Sequence, residues 1–380
     1  MAKQFLKSVA VLLAALTWSA LSTNAADWPM HRGSPQLQGV ADQPAPPEAQ
    51  LAWTFNAGKA VKSSPAIAGG RVFFGDDAGI VHAVDLASGK EVWKFKTESS
   101  IEATPLVLDG VVYIGSSDAF MYALGAADGV LKWKYETGDK ILGGANHAKN
   151  PKGEGEWILF GSYDSNLHCV EAATGKKVWT ASTDNFINGS PAILPTGEVA
   201  FGGCDSYIHV VQLADGKELR QIETEAYIAS SIAARDGIGY VGNYGNVVVA
   251  YDLRGGEVKW KYRDREFPYF SSAAVTNDRV IIGGRDKRLH CIDRATGNSV
   301  WNFQSRGQID SSPVVCGDGI IVGSQDGRLY CVGLADGKQR WTYDIGAPVT
   351  GSPAVGEGMI VIGAEDGNVF AFGTPKKPGS

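Results

Sequence analysis

Of 380 residues only five are cysteine and four methionine, and past residue 21 no apolar run is long enough to span a bilayer as a helix. No two cysteines are adjacent, and no Gly-x-Ser-x-Gly elbow occurs. No Ser/His/Asp or Cys/His nucleophile set can be assigned, and no α/β pattern is present to carry one. Lys and Arg form no run, which removes the electrostatic footprint of a nucleic-acid partner. What the chain has in quantity is glycine, 48 residues, well above the usual share of about 7%. With it come many Val, Ile, Tyr and Trp, the composition of short strands joined by tight turns.

The amino terminus stands apart. Lys3 and Lys7 precede an apolar stretch from Val9 to Leu21, and Thr23-Asn24-Ala25 supplies small residues for cleavage. This is the layout of a secretory signal peptide over 1–25. Its removal takes the formal net charge from −6 to −8. The first cysteine is Cys169, so the leader is followed by no lipid-accepting thiol. The expected product is periplasmic or secreted, without a lipoprotein anchor or transmembrane segment.

One tryptophan recurs: Trp53, Trp93, Trp133, Trp179, Trp260, Trp301 and Trp341, at intervals of 40, 40, 46, 81, 41 and 40. The 81 is a double step, with Arg220 where a tryptophan is missing. Gly75, Gly115, Gly161, Gly202, Gly242, Gly283, Gly323 and Gly363 recur in phase. Units of this length reading as four short β-runs predict an all-β, eight-bladed β-propeller of four-stranded antiparallel blades. The strand around Trp53 has no inner strands before it, and the last unit lacks an outer strand. The amino-terminal strand is therefore expected to complete the last blade and close the ring, which leaves no open sheet edge. The division expected is a leader at 1–25, a lead-in arm at 26–50, the propeller at 51–373 and a tail at 374–380.

The turn into the outer strand reads Ala83-Val-Asp-Leu-Ala-Ser-Gly-Lys-Glu-Val-Trp93. It returns as Cys291-Ile-Asp-Arg-Ala-Thr-Gly-Asn-Ser-Val-Trp301 and as Ala250-Tyr-Asp-Leu-Arg-Gly-Gly-Glu-Val-Lys-Trp260. This resembles the tryptophan-docking motif of the PQQ-like, quinoprotein-type propeller repeat, and the resemblance runs from Leu51 to Gly373. Asp27-Trp-Pro-Met-His-Arg-Gly33 is similar to the lead-in of such propellers. The family implies one of two roles. One branch is similar to the propeller subunit of outer-membrane β-barrel assembly, a non-enzymatic protein. The other comprises PQQ-dependent alcohol dehydrogenases. The short period and the absence of a Cys-Cys pair depart from the dehydrogenase branch, and the missing lipid-bearing cysteine departs from the assembly subunit.

Several columns of the repeat invite chemical readings. His82, His168, His209 and His290 each stand seven residues after the repeat glycine, where other units have Tyr122, Tyr330 and Phe370. Neighbouring blades are roughly 10 Å apart, too far for one shared zinc, whose ligands sit at ~2 Å; these histidines read as blade packing or surface positions. Cys169, Cys291 and Cys331 occupy a column of alanines and read as small buried hydrophobes; the relation of Cys169 to Cys204 stays open. Asp118, Asp164, Asp205, Asp286, Asp326 and Asp366 suit tight turns, where Asp accepts backbone hydrogen bonds.

Deviations from the repeat carry the functional expectation. Blades three to six place aromatics in the loops of one face: Tyr163, Phe186, Tyr207, Tyr227, Tyr244, Phe267, Tyr269 and Phe270. Aromatics gathered on loops suit a partner surface. A column at the channel mouth varies widely and includes Lys62, Glu102, Asn188 and Asp310, which converge as a ligand site would. The expected function is an exported, non-enzymatic scaffold that binds a protein of the cell envelope or a ligand. It is expected to act as a monomer without catalytic residues, metal or cofactor. The alternative is a PQQ-binding oxidoreductase with PQQ and calcium at the channel mouth.

Overall fold

The computed structural model describes residues 27–373; the leader expected at 1–25 and the tail at 374–380 lie outside the described residues. Eight antiparallel sheets of four strands form a ring, one of them extended by the short strand Val40–Ala41. Blade one shows the plan: Ala66–Ala68, Arg71–Gly75, Ile80–Asp85 and Glu91–Lys96 run in order from the axis outward. The ring closes as expected. Leu51–Asn56 pairs with Asn368–Gly373, setting Trp53 opposite Ala371 and completing blade eight. Among the described residues no helix is long and apolar enough to cross a membrane.

The repeat glycines hold their column for lack of space. A methyl group on Gly75 would lie 2.2 Å from Ile101 of the next blade, and one on Gly115 2.3 Å from Ile141. The same seat is taken by Ile187, Ile228, Ile309, Val349 and Val61 over their glycines, and by Tyr269 over Gly242. One bulky side chain per blade, entering from the neighbour, thus locks adjacent sheets together.

The tryptophans form a second lock at the rim. Trp53, Trp93, Trp133, Trp179, Trp260 and Trp301 each donate Nε1–H to a backbone carbonyl of the following blade, at 2.8–3.0 Å. Each lies over a turn glycine of that blade, where a methyl group would approach the indole within 2.5–2.7 Å. Trp341 instead reaches Pro46 of the lead-in arm, at 2.9 Å.

Near the axis a belt of hydrogen bonds ties the innermost strands. The amide of Ser190 donates to Ser231 Oγ, Ser231 to Ser272, Ser272 to Ser312, Ser312 to Ser352 and Ser352 to Ser64, at 2.9–3.0 Å. The lead-in arm crosses one end of the channel and bonds in turn to inner strands around the ring. Its Trp28 exchanges backbone hydrogen bonds with Ile67, and the carbonyls of Pro29, Pro35, Gln36, Gln38 and Gly39 accept from the amides of Val107, Ile193, Ala234, Val275 and Val315. The arm therefore closes that end, leaving the opposite mouth as the channel's open face. Arg32 of the arm is buried and donates to the carbonyls of Ala273 and Pro313, while its Nε and Nη1 lack a partner. Burial lowers the Arg32 pKa to about 9, which still leaves the guanidinium charged at neutral pH.

Candidate functional site at the open mouth

Each blade contributes two side chains to the open end. One comes from the residue after the interlocking Ile/Val column, the other from the second residue after the repeat glycine. Twelve of these sixteen positions line a cavity of about 550 Å3. Lys62, Glu102, Asn188 and Asp310 all meet there, as the variable column predicts, and Tyr163 and Tyr244 join them. Phe270 does not line it. Arg285 does, with its guanidinium 3.8 Å from the centre of the Phe270 ring.

The two contributions pair mostly within a blade, and once, at Arg285 and Asp310, across neighbouring blades. Arg285 forks onto Asp310 through Nε at 3.0 Å and Nη2 at 2.8 Å. Gln325 donates to the same carboxylate at 2.7 Å. Lys62 Nζ is 3.1 Å from Asp77, which raises the Lys62 pKa against a smaller opposing effect of burial. Thr350 donates to Glu365 at 3.0 Å. Asn188 lies 3.0 Å from Cys204 Sγ, and its Oδ1 is buried without a partner. Arg285, Gln325 and Glu365 were legible as a column two places after the repeat glycine, alongside Tyr163 and Tyr244. Reading only its aromatics missed them.

The aromatic loops resolve into two groups on adjacent arcs of the rim, one at blades three and four and one at blades five and six. Tyr163 and Phe186 stack with centroids 4.7 Å apart at 11°, and Lys140 lies over Tyr163. Tyr244 contacts Tyr227 edge-on at 6.3 Å and Phe270 at 4.6 Å. Phe186, Tyr227, Tyr244 and Phe267 are exposed by 42%, 50%, 48% and 45%, high for large aromatics on a folded surface. Two expected members fall outside this surface. Tyr269 is buried because it fills the interlocking seat over Gly242, with its ring against His290. Tyr207 is half-buried and turns toward His209 of its own strand.

The histidine and aspartate columns prove to be one device. His82, His168, His209 and His290 are buried, and each Nε2 pairs with the turn aspartate of its blade: Asp76, Asp164, Asp205 and Asp286, at 2.7–3.1 Å. Tyr122 and Tyr330 donate to Asp118 and Asp326 in the same place. The other carboxylate oxygen often caps a turn amide, as expected for these aspartates. Hydrogen bonds from His168 and from the Gly138 amide hold Asp164 well below the usual carboxylate range, although burial opposes them. At His209 burial lowers the pKa, but Asp205 and Glu218, each at 2.7 Å, outweigh it and raise the net value. Among the described residues, Asp264, Asp286 and His290 form one group close enough to share a cation. Asp264 is paired with Arg288, and His290 Nδ1 with Tyr262. All five cysteines are free and four are buried; burial raises the thiol pKa of Cys291 to about 12 and of Cys331 to about 11.

A ring of eight such blades, tied by docking tryptophans, defines a quinoprotein-type β-propeller. Successive matches to the family model described as outer membrane protein assembly factor BamB span residues 45–183, 163–302, 266–328 and 285–375, and the chain belongs to this family. Among solved structures it is similar to BamB from Moraxella catarrhalis, at 18% identity and TM-score 0.71, covering 86% of this chain and 99% of that one. It is also similar to quinohemoprotein alcohol dehydrogenase from Comamonas testosteroni, at 13% identity and TM-score 0.78, covering 94% and 83%. The computationally designed Ika8 protein is similar at 16% identity and TM-score 0.74, covering 85% and 99%. At these identities the structures share the fold. No curated protein sequence matches the chain.

Proposed function

We propose that this protein is an exported, non-enzymatic scaffold that holds a protein of the cell envelope on its open face, in the manner of outer-membrane assembly propellers. The observation that carries this reading is the pair of aromatic groups on neighbouring blades at the rim of the mouth, half-buried Tyr163 with exposed Phe186, and exposed Tyr227 with Tyr244. Large rings at the surface with little else to cover them are the material of interface hot spots. Their polar surroundings, Lys140 and Arg285, suit an interface rim.

The dehydrogenase alternative requires the mouth to hold PQQ, a tricarboxylate quinone. Its chemistry there would be to accept electrons from an alcohol. The lining offers Lys62 and Arg285 as cations against Glu102, Asp310 and Glu365. Both cations are already paired, with Asp77 and Asp310, so a trianionic ligand would meet an acidic lining. These residues do not fit that cofactor, and no step is assigned through it.

Two measurements test the proposal. A photo-crosslinking residue placed at Tyr227 or Phe186 in the native host should trap one envelope protein, and one placed at Lys177, on an outermost strand, should not. Titration with PQQ and calcium should produce no stoichiometric absorbance change and no dye-linked alcohol oxidation. Turnover would overturn the reading.

A further inference from the structure

In blades two, three and seven the turn aspartates, Asp118, Asp164 and Asp326, accept a backbone amide on each oxygen. Oδ1 takes the amide two residues on. Oδ2 takes one from the loop that leaves the preceding blade, that of Glu98, Gly138 or Arg306, at 2.8–2.9 Å. Blade six breaks this pattern. Asp286 Oδ1 takes the Arg288 amide at 3.2 Å and faces His290 Nε2 at 3.1 Å, but its Oδ2 is buried without a partner. Asp286 is 7% exposed and His290 is 0% exposed. A carboxylate oxygen sealed from water with no donor is costly to keep.

The loop leaving blade five accounts for the missing donor. Elsewhere the interlocking side chain stands eight positions after the docking residue, as Ile101 after Trp93 and Ile309 after Trp301, whereas Tyr269 stands nine after Trp260. The extra residue takes this loop out of register with the turn it would cap. One position in it also changes chemistry. Thr97, Thr137, Thr183, Thr224 and Ser305 stand four after their docking residues, and their hydroxyls donate to loop carbonyls. The loop leaving blade five has Asp264 there, and an ionised carboxylate only accepts.

Asp264, Asp286 and His290 each bring one ligand atom within 4.8 Å of the other two. Asp286 and His290 are buried and Asp264 is exposed, so two donors are fixed and the third is free to turn inward. Glycine at 284 keeps the approach clear, because a methyl group there would lie 2.6 Å from Asp286 Oδ1 and 3.0 Å from His290 Nε2. Behind the imidazole, Nδ1 lies 3.1 Å from the Tyr262 hydroxyl, which donates onward to Asn302 Oδ1 at 3.4 Å. A hydroxyl engaged in that way accepts from Nδ1–H. Nε2 then keeps the lone pair that a metal takes, with Tyr262 orienting the ring from behind.

We infer that Asp264, Asp286 and His290 bind one divalent transition-metal ion of the zinc type. The ion supplies the positive partner that Asp286 Oδ2 lacks, takes Nε2 of His290 and draws in Asp264 as the third ligand. One imidazole nitrogen with two carboxylates suits zinc, whereas calcium takes about 6–8 oxygens. Three protein ligands leave one position of a tetrahedral ion to water. Arg288 donates to Asp264 at 2.8 Å, and the ion displaces it. The bound ion would tie the loop leaving blade five to the turn of blade six. The site stands independently of what the open face holds.

Calorimetric titration of the purified chain, free of affinity-tag histidines, with Zn2+ tests the site. One ion should bind per chain, and D264N, a change at an exposed position, should weaken it by roughly tenfold or more. R288Q removes the cation that the ion displaces and should tighten binding by about threefold or more. With Co2+ in place of zinc, the paramagnetic NMR shifts of the parent protein should fall on the His290 ring and spare those of His168 and His209; this readout serves if D264N misfolds. No stoichiometric zinc binding, equal binding by folded D264N, weaker binding by R288Q, or shifts centred on His168 or His209 overturns the inference. Tighter binding of Ca2+ than of Zn2+ overturns the assignment of the ion.

Discussion

Replacing Trp179 with alanine tests whether the rim indoles or the hydrogen bonds they make hold the blades together. Trp179 is 7% exposed, donates to Leu213 O at 2.9 Å and presses on Gly216. A buried indole removes about 200 Å2 of surface from water, worth ~5 kcal/mol at 25 cal/mol per Å2. Partial collapse of the cleft brings the observed loss to about 3–5 kcal/mol. Arg220 offers an internal control, because it makes the same inter-blade hydrogen bond without a ring. Its loss removes the Leu253 contact and a partly exposed pair with Glu198, together about 1–2 kcal/mol. Urea unfolding of Trp179→Ala and Arg220→Ala, compared at equal slope, should therefore separate them by about 2–3 kcal/mol. Equal losses would mean that the hydrogen bond carries the lock and the ring contributes nothing, and the account of the rim would fail.

Three further outcomes follow from the same geometry. Gly115→Ala should cost about 1–3 kcal/mol by overpacking against Ile141, read from the shift of the urea midpoint. Ser312→Ala removes the acceptor for the buried Ser272 amide and should cost about 1–3 kcal/mol, with faster hydrogen exchange at that amide. For His209 the raised pKa means stability that is complete below the unfolded value of about 6.5 and is lost as pH rises through the folded value. Asp205 and Asp164, both lowered, contribute above the unfolded carboxylate range and lose that contribution in acid. The melting temperature should fall below about pH 4, and His209→Asn should flatten the part of the profile near neutrality. A His209 titration at or below about 6.5, observed by NMR, would refute the assignment.

The blades, their count and the closing strand were legible in the sequence because each repeat solves the same packing problem in nearly the same residues. The indole spacing marks the rim lock, and the phased glycines mark the seats that neighbouring Ile and Val fill. The arm was less legible. It is a single copy with no period, and its path follows from backbone hydrogen bonds to inner strands that leave no side-chain pattern. The docking position at Arg220 was half visible. The missing tryptophan stands out at once, but the hydrogen bond that Arg220 keeps to Leu253 shows only in the structure.

The contrast between Tyr269 and Tyr244 shows where composition alone misleads. Both are tyrosines in loops of the same face, in adjacent blades. Tyr269 stands in the column occupied by Val61, Ile101, Ile141, Ile187, Ile228, Ile309 and Val349, and this column always points into the next blade. Tyr244 stands in the column that points toward the mouth and stays 48% exposed. Tyr269→Ala should therefore behave as a core truncation, costing about 3–5 kcal/mol, and should impair any binding only through loss of folded protein. Tyr244→Ala should change stability by less than about 0.5 kcal/mol yet weaken capture of the crosslinked partner. Chemical denaturation and crosslinking yield, measured on both variants at a temperature where both are folded, decide the matter. If Tyr244→Ala destabilises as much as Tyr269→Ala, the exposed rings are packing for the blades and the open face has lost its claim as an interface.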